Sequence, residues 1–324
     1  MHDQTPQAER PVLLLGEALV DDFVDGPVAG GAPLNVARGL AALALPAHLA
    51  SRLNPGDAAG EMLLASMARF GLDDSGVQRD AAHATGLVTV IEAGDGTHRF
   101  HIHEEAAWDH LEAGPVLDWI AAHRPRLVYF GSLARRHPAS RAAMRRILDA
   151  CPRGASIRYL DLNLRPGSDN AELAEECLAA ADWVKVNDEE LARLADWFDL
   201  PRDAADETTS LIRSGRALMR RYRLQRLVVT RGAKGYLGFE GAEEERPPIQ
   251  GAAVALIRCV DTVGAGDAFS AMLLAALLRG QGWARSLALA NGMAAAMCGE
   301  RGPVPAHAAF FEPWRAALAV PEQT

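Results

Sequence analysis

The chain has 324 residues, 49% of them hydrophobic and 23% charged, a composition that excludes general disorder and allows a core large enough to close over a small ligand. Its 42 acidic against 33 basic residues leave a formal net charge of -9, a field that repels nucleic acid and anionic membranes as partners. The four cysteines, Cys151, Cys177, Cys259 and Cys298, include no C-x-x-C pair, so neither a zinc knuckle nor a disulfide framework is signalled.

The N-terminal MHDQTPQAERP lacks a charged-then-apolar leader pattern, and apolar runs such as Ala271 to Leu278 are too short to span a bilayer. A cytoplasmic protein is expected. Pro11 to Leu15 reads as a buried strand ending at Gly16, and Asn35 to Leu43 has helical composition. Strand-like runs recur at Leu49 to Leu53, Leu127 to Phe130, Ile157 to Asp161, Trp183 to Val186 and Leu227 to Thr230, with helical stretches such as Pro138 to Leu148 and Thr208 to Tyr222 between several of them. This alternation predicts an α/β fold, a mostly parallel sheet with helices on both faces. Gly86 to Glu92 and Thr97 to His103 break the rhythm as a hairpin turning at Gly94-Asp95-Gly96. With the extended Asp21 to Gly31 segment they form a small β lid over the open strand ends. The expected division is a core of 11–20, 34–84 and 106–316, a lid of 21–33 and 85–105, and flexible tails at 1–10 and 317–324.

The richest string is DTVGAGD, Asp261 to Asp267, directly before the apolar helical run AFSAMLLAALL. Gly264 and Gly266 bracket Ala265, so free amides and the helix dipole can converge on an anion. Asp267 in the same turn would repel a static phosphate, but facing an incoming hydroxyl it could take that proton. In isolation, a glycine-flexed, capped helix start explains the string equally well. The dinucleotide fingerprint fits less well, because Phe269 replaces its third glycine.

DTVGAGDAFSA resembles the C-terminal signature of the ribokinase-like, or PfkB, carbohydrate kinases, and GGAPLNVA at Gly30 to Ala37 resembles their N-terminal signature. GEALVD (Gly16 to Asp21), DLNLR (Asp161 to Arg165), NDEE (Asn187 to Glu190), TRGAKG (Thr230 to Gly235) and ANGMAAA (Ala290 to Ala296) extend the resemblance over roughly Val12 to Pro305. The resemblance implies a ribokinase-like three-layer fold and an ATP-dependent sugar kinase, a phosphotransferase with an alcohol acceptor. In that reading Asp267 is the base, and Gly264, Ala265 and Gly266 form the anion hole. Asp21, Gly30, Gly31, Asn35, Asp161, Asn163 and Arg165 hold the sugar. Asn187, Thr230, Gly232, Gly235, Gly264, Gly266 and Asn291 approach the nucleotide. Asn187 and Glu190 are associated with Mg2+, while Asp261, the Val263 carbonyl and carbonyls around Met297 to Gly302 are candidates for a K+ site. A homodimer through the lid is also common in relatives.

The wording is nearest to fructokinases, since Ala32 replaces the lysine typical of ribokinases. His103 and Glu104 stand where a tyrosine and arginine often meet substrate, and losing that cation favours a neutral sugar over an acid sugar. Alternatives are a nucleoside or 2-keto-3-deoxygluconate kinase of the same fold, or a catalytically silent sugar- or nucleotide-binding regulator. His98, His101, His103, Glu105 and His110 raise a second question, because positions 101, 103 and 105 would share one strand face. That is the pattern of a metal cluster, and also of the wet face of a half-buried strand, which is the reading taken.

Overall fold

The computed structural model describes residues 10–92, 98–203, 206–243, 245–252, 254, 259–305 and 307–320. In chain order the elements are β1 (Val12–Leu15), β2 (Leu19–Phe23), β3 (Gly26–Gly30), α1 (Ala32–Ala42), β4 (Ala47–Leu53), α2 (Ala58–Arg69), β5 (Val77–Arg79), β6 (Gly86–Glu92), β7 (His98–Ile102) and α3 (Ala113–His123). They continue as β8 (Leu127–Phe130), α4 (Pro138–Asp149), β9 (Ile157–Asp161), α5 (Ala171–Ala180), β10 (Trp183–Asn187), α6 (Asp188–Trp197), α7 (Glu207–Tyr222) and β11 (Arg226–Thr230). The last are β12 (Tyr236–Glu240), β13 (Ile249–Gly251), α8 (Ala265–Leu278), α9 (Trp283–Met297) and α10 (Glu312–Ala319).

The large sheet runs β13-β12-β11-β10-β9-β8-β1-β4-β5. β1 lies inside the sheet, third from its β5 edge and parallel to β4 and β8, and all four of its residues are buried because helices cover both faces. Two apolar clusters fill those faces, one around α3 to α7 and the other around α1, α2, α8 and α9. The expected parallel order is present from β5 to β11, while β12 and β13 add an antiparallel edge. That edge went unforeseen because its strands are short and interrupted by glycine.

The lid is a separate sheet of order β3-β2-β6-β7, with β2 parallel to β6 and hairpins at either side. Its expected turn at residues 94–96 lies outside the described residues. β2 starts at Leu19, two residues before the expected lid boundary, and β7 stops at Ile102. The expected C-terminal tail is helical to Ala319, with Leu318 buried and its carbonyl accepting from Gln281 Nε2. Arg10, the described residue of the N-terminal tail, gives its guanidinium to the Pro125 and Ala155 carbonyls. Among the described residues no helix is long and apolar enough to cross a membrane.

Candidate active site

The site begins at the N-terminus of α8. Gly264 caps that helix with φ 79, a left-handed conformation in which a methyl group would lie 2.4 Å from the Pro303 carbonyl oxygen. The preceding turn is held by Asp261, whose carboxylate accepts the Val263 amide at 3.0 Å and the Gly302 amide at 3.1 Å. These bonds bring 261–263 against the loop after α9, as the candidate K+ site requires, and also occupy one lone pair on each Asp261 oxygen. The Ala265 amide closes the turn on the Thr262 carbonyl at 3.2 Å, so of the expected trio the Gly264 and Gly266 amides are the ones left that could face an anion.

Asp267 stands one residue further on, in the first turn. Gly39 of α1 packs on Ala271 of α8, where an added methyl would come within 2.8 Å of the alanine Cβ. Asn35 lies four residues before Gly39 and Asp267 four before Ala271, so close helix approach also brings those two side chains together. Asn35 Nδ2 donates to Asp267 Oδ2 at 2.7 Å, and Asn35 Oδ1 accepts from Arg38 Nη2. Arg38 is fully buried, and also donates to the Ala29 carbonyl at 2.9 Å and Ser66 Oγ at 2.6 Å. The guanidinium thereby fixes which way the amide faces. Asn35 lines the cavity, but one of its amide hydrogens already serves the carboxylate.

Asp161 lines the cavity and is also tied into the protein. It is buried, receives both Lys185 contacts at 2.7 and 2.9 Å, and accepts Ser270 Oγ at 2.8 Å and Tyr129 Oη at 3.3 Å. Oδ2 is fully engaged by protein donors while Oδ1 takes Lys185 alone, so Asp161 holds Lys185 and keeps acceptor capacity on Oδ1. That ammonium lies 3.5 Å from where a methyl on Gly266 would sit, beside the anion turn. Sequence reasoning missed Lys185, Arg38 and Glu17. A lone cation in the apolar strand WVKVN, and an arginine three residues after Asn35 on one helix face, were the available signals.

A cavity of about 1020 Å³ opens over this turn, lined by Glu17, Asp21, Gly31, Asn35, Asn163, Arg165, Lys185 and Asp267 among others. The volume is at the upper end for small-molecule sites and can hold two reactants. Gly30 does not line it, but makes room for Asp21, since a methyl there would sit 2.3 Å from the Asp21 carboxylate. Three carboxyls face one another in the cavity. Burial, then repulsion from Asp161, pushes Asp267 up to about 6, against the pull of Asn35, Lys185 and Arg165. Burial likewise raises Asp21 to about 6 against the pull of Arg165, and Glu17 to about 7 despite backbone amides that favour its ionised form. Glu17 Oε2 has no hydrogen-bond partner among the described residues.

The other end of the cavity gathers Asn187, Glu190, Thr230, Gly232, Gly235, Gly264, Gly266 and Asn291. Asn187 and Glu190 form a capping box on α6: Asn187 Oδ1 accepts the Glu190 amide at 2.7 Å, and Glu190 Oε2 accepts the Asn187 amide at 2.8 Å. Glu190 Oε1 also takes the Leu164 amide at 2.8 Å, and burial raises this carboxyl. With both oxygens engaged, the pair suits a hydrated cation held through water rather than direct ligation, which is how Mg2+ commonly sits on proteins. Asn291 is tied to the Ala252 carbonyl at 2.9 Å.

His103 and Glu104 are not brought to this cavity, which corrects their assignment as substrate contacts. Side chains alternate across β7, and Ile102, paired with Val88, is the residue that lines the cavity. His103 Nε2 meets Thr89 Oγ1 at 2.9 Å, while Glu104 edges a separate recess of about 300 Å³ with Arg136. Arg136 is engaged there by Asp109 at 2.7 Å and stacked 4.2 Å over Trp108.

A helix-terminal anion turn, an adjoining carboxylate on a positioned amide and a lid over parallel strand ends define an α/β phosphotransferase with an alcohol acceptor. The chain belongs to the pfkB family of carbohydrate kinases, whose family model matches residues 25–308, and is a sugar kinase of that family. It is 30% identical to fructokinase-1 of Oryza sativa subsp. japonica over 260 residues, 78% of this chain and 74% of that protein. Its fold is similar to a sugar kinase of Pyrococcus horikoshii, with TM-score 0.77, 24% identity and coverage of 95% of this chain and 100% of that one. It is also similar to a fructokinase of Vibrio cholerae O395 solved with fructose, ADP and a calcium ion, with TM-score 0.74, 24% identity and coverage of 94% and 98%.

Proposed function

We propose that the chain transfers the γ-phosphoryl group of ATP to a hydroxyl of a small neutral sugar, fructose or a close relative. The observation that carries this reading is the 2.7 Å hydrogen bond from Asn35 to Asp267, which holds a carboxylate beside the anion turn inside a two-substrate cavity. Asp267 takes the proton of the attacking hydroxyl as the new O–P bond forms and the bond from the γ-phosphorus to the bridging oxygen breaks, with ADP leaving. The Gly264 and Gly266 amides and the Lys185 ammonium stabilise charge on the transferring phosphoryl group. Asn187 and Glu190 would hold a magnesium ion, which when bound would neutralise phosphate charge. Thr230, Gly232, Gly235 and Asn291 line the nucleotide end. Asp21, Asn163, Gly31 and the second Asn35 amide hydrogen supply hydrogen bonds suited to a polyol. A K+ ion beside Asp261 and the Val263 carbonyl is part of this reading, and rates equal in potassium and in a bulky organic cation would remove it.

Preference for a neutral acceptor rests on charge. Glu17, Asp21 and Asp267 surround the sugar end, Arg165 is the cation lining it, and Lys185 is already paired with Asp161. A substrate carboxylate would enter a field of its own sign. The test is an ATP-consumption assay over neutral sugars, polyols, nucleosides and 2-keto-3-deoxygluconate. Highest turnover with fructose or another neutral sugar is expected. Faster turnover of the acid sugar or of a nucleoside would overturn the substrate assignment, and binding of sugar and ATP without turnover would overturn the kinase assignment.

A further inference from the structure

Away from the cavity, His83, Glu105 and His110 place one ligand atom each within 4.8 Å of one another. This differs from the set of alternating lid residues suggested by sequence. β7 ends at Ile102, and Glu105 turns away from the strand line with φ 54. The His101 and His103 rings pack on each other, 4.9 Å apart, and the His98 side chain lies outside the described residues. His83, from the far end of the hairpin sequence, completes the group instead.

The surroundings prepare these residues for an ion. His83 Nδ1 is 2.9 Å from Asp80 Oδ2, and Asp80 is buried. Asp80 also accepts the Ala82 and His83 amides at 2.7 and 3.1 Å and Arg52 Nε at 2.7 Å, which fix the carboxylate in place. A fixed carboxylate on Nδ1 keeps the proton there and leaves the Nε2 lone pair free, the outer-partner arrangement found behind metal-bound histidines. His110 Nε2 is 3.1 Å from Glu105 Oε2, and its ring stacks on His83 at 3.7 Å. On the other side His137 Nδ1 accepts the Ala139 amide at 3.3 Å, which puts the proton on Nε2, 3.5 Å from Glu105 Oε1. His137 is therefore built to hold the carboxylate rather than to ligate.

We propose that His83, His110 and Glu105 bind a divalent transition-metal ion, zinc fitting best, with Asp80 and His137 as outer hydrogen-bonding partners. Two imidazoles and one carboxylate are a zinc donor set with a fourth position left for water, whereas Mg2+ prefers oxygen donors. Metal–ligand distances of about 2.0–2.2 Å require the three donors to close in by roughly an ångström and one of the stacked His83 and His110 rings to turn so that both nitrogen lone pairs meet the ion, movements open to the two-thirds exposed Glu105 and to the partly exposed rings. His83 lies three residues before β6 and Glu105 three after β7, so the ion would fasten both roots of the lid hairpin to the turn that carries His110. The roots already meet through the Ala107 amide on the Ala84 carbonyl at 2.8 Å.

The test uses the full chain without a histidine tag, stripped with chelator and titrated with zinc in a calorimeter. One zinc per chain with micromolar or tighter affinity is expected. Cobalt should give a tetrahedral spectrum without a sulfur-to-cobalt charge-transfer band. Glu105→Gln and His83→Ala should each weaken binding tenfold or more, and Glu105→Gln, on an exposed side chain, should leave the metal-free melting temperature unchanged. No saturable zinc binding would overturn the proposal. So would zinc binding undiminished in both variants, since the ion would then reside on Cys259 and Cys298 or on the carboxyls of the cavity.

Discussion

Asn35→Ala should shift the pH dependence of turnover as well as weaken sugar binding. The amide donates to Asp267 at 2.7 Å inside a buried site, and it is among the groups that hold that carboxyl down against burial. A hydrogen bond to a charged group contributes about 1.5–3 kcal/mol, and about 1.4 kcal/mol corresponds to one pKa unit. Losing it should lift Asp267 from about 6 by about 1–2 units, to about 7–8. The ionised form is the active base, so activity falls on the acid side and recovers as pH rises. The assay is ADP release measured across the neutral range, with kcat/KM reporting the free enzyme. The acid limb of the variant should sit about 1–2 pH units above that of the parent. A raised sugar KM with the acid limb unmoved would refute this, because Asn35 would then serve the sugar alone.

Two further perturbations probe the charges around the turn. Glu17 rises from 4.5 to about 7 on folding, so its contribution to stability is fully present below about pH 4 and lost as pH passes through 7. Glu17→Gln should therefore out-stabilise the parent at pH 8 by up to about 3 kcal/mol, the difference closing near pH 4 in denaturant melts; a gap that does not change with pH would contradict burial of an ionisable carboxyl as its cause. Lys185→Met strands the buried Asp161 carboxylate and should cost about 3–5 kcal/mol by urea denaturation. Adding Asp161→Asn should restore most of that stability but not turnover, and recovery of turnover in the double variant would remove Lys185 from the phosphoryl site.

Much of this was legible in the residue pattern. Buried parallel strands read as apolar runs, so β8 and β9 fall where hydrophobicity put them, as does β6 in the lid. Gly264 and Asp267 are each ordinary at a helix start, and they stand out only because DTVGAGD occurs with the other matching strings in order along the chain. Partners that act through a second residue were not legible: Arg38 orients the Asn35 amide that meets Asp267, and Lys185 matters only once β9 and β10 are paired. The ties from Asp161 to Lys185 and Ser270 were not legible, because a motif carries no burial information. His103 misled because one residue along a strand reverses the face, and Glu104 because β7 ends at Ile102, an end that could not be placed that closely from sequence. The zinc-ready group escaped for a related reason: His83 is separated from Glu105 by the whole β6–β7 hairpin.

The central claim is that Asp267 takes the proton of the acceptor hydroxyl. Asp267→Asn keeps the shape of the side chain and removes the base, so turnover with the best sugar of the panel should fall by about 10²- to 10⁴-fold while calorimetric binding of sugar and ATP persists. Turnover equal to that of the parent would contradict the account.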